Sequence, residues 1–83
     1  MTRRLAIFAG EGELPRLLHE AREDAVYVTF EGVDARPPED ARHLAASFER
    51  LGALFADLHR EGVGEVVFAG AMRRPALDPA RFD

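Results

Sequence analysis

Two short apolar runs, each closed by a glycine, constrain this chain more than any other feature. Leu5-Ala6-Ile7-Phe8-Ala9 stops at Gly10, and Val66-Val67-Phe68-Ala69, preceded by Glu65, stops at Gly70. Runs this short without polar alternation fit strands buried on both faces, as in parallel sheets. A third segment, Ala25 to Phe30, is dense in β-branched and aromatic residues and ends at Glu31-Gly32, which marks another buried strand.

Helical periodicity fills the gaps between these runs. Leu14, Leu17, Leu18 and Ala21 recur at helical spacing after Gly10-Glu11-Gly12-Glu13, and Pro15 is tolerated there only in a first turn. Leu51, Leu54, Phe55 and Leu58 lie at i, i+3, i+4 and i+7, a second amphipathic helix running to about Glu61 and stopped by Gly62. Gly32 to Asp40 is the longest expected loop. Ala41 to Phe48 fits either a short strand around His43 to Ala46 or irregular chain, and Ala71 to Asp83, with Pro75 and Pro79, reads as turn-like.

Strands and helices alternating at these lengths give an α/β fold: a small, open, mostly parallel sheet of three or four strands with flanking helices, Rossmann-like. The 83 residues make one domain, and at this size only about 60–65% of the unfolded chain's surface is buried, with no cysteine for a disulfide. The core is expected to be marginal alone. Formal charge is −4, from 15 acidic and 11 basic residues, the latter all arginine. That balance excludes a general attraction to nucleic acid or an anionic membrane and leaves anion binding to local arginine clusters. No stretch approaches a membrane span or a signal-peptide core, so a cytoplasmic location is expected.

In open parallel sheets ligands gather beyond the carboxyl ends of the strands, where strand order reverses. Gly10 to Glu13 and Gly70 to Pro75 both fall at that edge, and they flank one crevice if the first and last strands are neighbours. Gly10-Glu11-Gly12 lets backbone approach a ligand beside a helix N-terminus, or merely turns a strand into a helix. The dinucleotide fingerprint fails, because Pro15 stands where a third glycine is needed, although Glu31 lies where a ribose-binding acid belongs. Arg73 and Arg74 supply planar forks for phosphate, or a solvated pair. Arg3-Arg4 reads as solvated. His19 and Glu23 form an i, i+4 surface pair, His59 sits near a helix C-terminus, and His43 is either a buried anchor or a loop residue. Ser47 has no nucleophile-elbow context, and no histidine pair has metal-ligand spacing. No catalytic residue is visible.

Three segments, taken together, resemble the N-terminal domain of the LpxI family, the UDP-2,3-diacylglucosamine pyrophosphatases of lipid A biosynthesis. Ile7-Phe8-Ala9-Gly10-Glu11-Gly12-Glu13-Leu14-Pro15 looks like the family's I-A-G-x-G-x-L-P start; Leu51-Gly52-Ala53-Leu54 is similar to its L-G-x-L segment; and Gly62 to Leu77 looks like its G-V-x-x-V-V-x-A-G-x-x-x-R-P-x-L stretch. The resemblance implies a magnesium-dependent hydrolase that releases UMP and lipid X, with substrate held between two domains and the acidic catalytic and metal-binding residues on a C-terminal domain. It implies a substrate-facing role for Gly10, Gly12, Leu14, Pro15, Gly70, Arg74 and Pro75; Glu11 and Arg73 join them by position. The expected partners are UDP-2,3-diacylglucosamine or lipid X and the C-terminal domain that this chain does not carry, with no nucleic acid. Peripheral association with the inner membrane through the lipid, and a homo-oligomer, are consistent with it. The rival is a stand-alone nucleotide-binding or interaction module using the glycine loop and Glu31.

Overall fold

The computed structural model describes residues 3–71. They run in the order β1 (Arg4–Ala9), α1 (Leu14–Ala21), β2 (Val26–Phe30), β3 (Arg42–Ala46), a 3-10 turn over Phe48–Arg50, α2 (Leu51–Arg60) and β4 (Val63–Ala69). The strands form one four-stranded sheet in the order β3-β2-β1-β4, parallel at every pairing. This is the expected α/β architecture. The turn-like reading from Met72 onward lies outside the described residues.

Position in the sheet explains burial. β1 pairs on both edges, aligning Phe8 with Val28 on one side and with Phe68 on the other, and Leu5 to Ala9 are all buried. Successive side chains leave on opposite faces, which divides the core in two. One face gathers Ala6, Phe8, Val26, Val28 and Phe30 under Leu54 and Leu58 of α2; the other gathers Leu5, Ile7, Ala25 and Ala69 with Leu18 of α1. Phe8 anchors the first layer, meeting Phe30 and Phe68 edge to face at 5.3 and 5.0 Å between ring centroids.

Two elements differ from the sequence pattern. β4 repeats β1's composition but stands at the sheet's edge, so Val66 and Phe68 remain exposed. In α1 the inward residues are Pro15 and His19, with Leu18 partly buried, while Leu14 and Leu17 face solvent. The apolar spacing identifies the helix but not its rotation about its axis. β3 resolves the ambiguous stretch as a strand beside β2; its sequence, Arg-His-Leu-Ala-Ala, carries no β-branched residue and leaves the strand half exposed. Among the described residues, no helix is long and apolar enough to cross a membrane.

Candidate functional site

Strand order reverses between β1 and β4: from β1 the chain goes to β2 and β3 on one side, and β4 lies on the other. The two glycine loops therefore meet at the carboxyl edge, and they are bonded together. Gly10 N–H donates to the Ala69 carbonyl at 2.7 Å, Glu11 N–H donates to Ala71 O at 2.7 Å, and Ala71 N–H returns a bond to Glu11 O at 3.0 Å. These last two make an isolated antiparallel bridge between residues 11 and 71, a clasp across a parallel sheet.

The clasp gives Gly10 and Gly70 a steric reason. A Cβ on Gly10 would lie 2.6 Å from Ala71 O, and one on Gly70, whose φ is +88°, would lie 2.5 Å from Glu11 O. Gly12 differs. Its φ is +99°, yet nothing stands within 4 Å of its Cβ position, so the space there is open. Beyond it Leu14, 53% exposed, begins α1, while Pro15 is fully buried in the first turn. The N-cap residue Glu13 makes no side-chain cap bond; its carbonyl accepts from Arg16 and Leu17 N–H at 3.1 Å. Thus Gly10, Glu11 and Gly70 come together, Gly12 and Leu14 flank them in solvent, and Arg73, Arg74 and Pro75 lie outside the described residues. Glu31 follows β2 on the same edge, its backbone N–H bonded to Ala46 O at 2.9 Å.

Three side chains correct the sequence reading. Arg4 is half-exposed but bonded rather than free in solvent: its Nε donates to Asp24 O at 2.8 Å and its Nη1 to Glu61 O at 3.1 Å. His19 is no surface partner of Glu23, because α1 ends at Ala21 and His19 is only 4% exposed. His43 sits on β3, half-buried, its Nε2 2.6 Å from the Thr29 hydroxyl.

A second feature at the carboxyl edge has no counterpart in the motif reading. A cleft of about 310 Å³ opens between the end of β3 and the first turns of α2, its polar lining supplied by Ser47, Arg50 and Asp57. Ser47 Oγ accepts from Glu49 N–H at 3.2 Å and caps the 3-10 turn. A serine just ahead of the amphipathic run from Leu51 to Leu58 was the available signal, because serine favours helix N-caps, and the ambiguity of β3 obscured it. Among the described residues, no group of three or more His, Cys, Asp or Glu could hold a metal ion.

Residues 4–83 match the family model described as the LpxI N-terminal domain. No curated protein and no solved structure compared with the chain matches it.

Proposed function

The chain belongs to the LpxI N-terminal domain family, and from that membership we propose that it is the substrate-binding part of a hydrolase that cleaves the pyrophosphate of UDP-2,3-diacylglucosamine to lipid X and UMP. The family match over residues 4–83 is the observation that carries this reading. The geometry agrees with it: strand order reverses where the two glycine loops lie, the location at which open α/β sheets bind ligands.

In this reading the clasp fixes the floor of the site and Gly12 is the point of close approach, since its Cβ side is open. Backbone N–H groups at the start of α1 orient the sugar or its phosphate, with Pro15 positioning that turn from below and Leu14 offering an apolar edge. Arg74, with Arg73, neutralises phosphate charge. The described residues do not fit a magnesium site, so no step is assigned to the metal here; its ligands and the chemistry of water attack belong, on this reading, to a C-terminal domain.

The test uses the chain as it stands. Lipid X or UDP-2,3-diacylglucosamine in detergent micelles is expected to raise its melting temperature, Arg74→Ala to abolish that rise, and magnesium plus substrate to release no UMP. Release of UMP overturns the division of labour between domains, and absence of any shift overturns the binding role. Glu31, at the carboxyl end of β2, keeps a nucleotide module as the second reading; a shift given equally by free UMP or AMP and lost in Glu31→Ala decides for it.

A further inference from the structure

The two edges of the sheet are not alike. β3 closes one of them with five residues, and its Arg42 is held by Glu61; a charged side chain on a short strand guards an edge against further pairing. β4 closes the other with seven, Val63–Ala69, among which Glu65 is the single charge and no proline occurs. Its side chains on the α2 face are apolar and bare: Phe68 is 67% exposed, and Val66, Phe55 and Leu51 are exposed with it. Phe8 joins the rings from below, 5.0 Å from Phe68 and 6.4 Å from Phe55 between centroids. Apolar surface gathered in this way marks an interaction site.

The backbone of this edge is equally open. Ala69 turns its carbonyl inward, to Gly10 N–H. Peptide groups of an extended chain alternate between its two edges, so Val67 also faces β1, while Val66 and Phe68 turn their N–H and C=O groups outward. Among the described residues no strand lies beyond β4 to receive them. The clasp leads the chain away from this edge, because Ala71 pairs with Glu11, on the β1 side of β4.

We propose that the open edge binds a second copy of this chain, β4 pairing antiparallel with β4 of the copy about a two-fold axis through Val67. In that register Phe68 of each copy stands opposite Val66 of the other, so the outward peptide groups of both residues exchange hydrogen bonds and each ring meets a β-branched neighbour. Glu65 falls opposite Ala69, away from its own image. The adjacent registers do worse. An axis at Glu65 sets two carboxylates against each other, and one at Val66 sets Phe68 against Gly64, where pairing with β1 is irregular and the Arg3 side chain lies against the glycine. The residue order of β4 is thus self-complementary, as a two-fold interface requires, and this selects a copy of the chain as the occupant. The four apolar side chains expose on the order of 300–400 Å² per copy, about half of the roughly 800 Å² per partner in a stable interface. The dimer is therefore a weak one, with a dissociation constant in roughly the micromolar to millimolar range.

Sedimentation of the full chain between about 10 µM and about 1 mM tests this, with a reversible monomer–dimer equilibrium as the expected result. Val66→Pro deletes an N–H turned away from β1, a change that an open edge tolerates, and Phe68→Lys replaces a ring already in solvent. Each acts twice across a two-fold axis, so each is expected to raise the dissociation constant about tenfold or more. Phe68→Lys carries the test if the proline variant does not fold. Amide exchange identifies the edge: Val66 and Phe68 N–H are expected to exchange fast in dilute chain and slowly in concentrated chain, whereas Val67 and Ala69, turned toward β1, are slow in both. A monomer at every concentration gives the edge to a different polypeptide and overturns the proposal. So do a dimer as tight in Phe68→Lys as in the parent, an open series of larger species, or protection of the Val66 and Phe68 amides that does not change with concentration.

Discussion

Alanine at Gly70 would set a methyl group 2.5 Å from the Glu11 carbonyl oxygen, on a backbone whose φ is already +88°. Neither atom can yield without opening the clasp, so Gly70→Ala is expected to lower stability by about 1–3 kcal/mol, and Gly10→Ala similarly, through its contact with Ala71 O. Gly12→Ala bears only the left-handed backbone penalty of about 1–2 kcal/mol, because its Cβ position is empty. Urea unfolding midpoints check the ranking, and a Gly12 variant as unstable as Gly70→Ala contradicts it. In the sequence Gly10-Glu11-Gly12 offers either a close backbone approach to a ligand or a plain strand-to-helix turn; that Gly10 meets Ala71 was not legible, since the two lie some sixty positions apart. His19 was the least legible residue: flanked by leucine and glutamate, it looks solvated, and only the rotation of α1 that buries Pro15 carries it inward.

For α2 the i, i+3, i+4, i+7 pattern identifies the helix, but its four apolar residues do unequal work. Leu54 and Leu58 are 4% and 3% exposed, whereas Leu51 and Phe55 sit at the margin at 37% and 52%. Leu58→Ala is therefore expected to destabilise by about 2–5 kcal/mol and Leu51→Ala by no more than about 1 kcal/mol, a contrast readable in thermal midpoints. The inner strands were recoverable from composition because burial on both faces leaves no room for polar residues. An edge strand obeys no such rule: β3 is polar enough to read equally as strand or irregular chain, and β4 is as apolar as β1 although two of its large side chains meet solvent.

At the scale of the molecule, alternation of elements sufficed for a parallel sheet, whereas the order β3-β2-β1-β4 depends on contacts no local pattern encodes. The edge opposite the clasp is held by charge. Glu61, just past α2, receives Arg42 Nε at 2.8 Å and Nη2 at 3.2 Å, and Arg4 Nη1 at 3.5 Å, so one carboxylate ties β1, β3 and α2. The Arg42 hydrogen bonds hold Glu61 below the usual carboxylate range, against an opposing desolvation contribution. A carboxyl depressed in the folded state contributes stability above its unfolded pKa and loses it as pH falls through the folded value. Glu61→Gln is thus expected to lower stability at neutral pH and to flatten the acid limb of a stability–pH curve. A variant whose curve runs parallel to that of the parent contradicts this role.

The sheet also has a history in time. Of its two inner strands, β1 comes before β2 in the chain, and one of β1's two neighbours is β4, the last. While a ribosome is still producing the residues between them, β1 can pair with β2 but keeps one edge bare, and bare apolar edges are what nascent chains aggregate through. Completion waits for Ala71, whose two bonds to Glu11 latch the far ends together. A chain shorter than that lacks the latch, so the pairing of its first and last strands would be left open at the end where the two glycine loops meet.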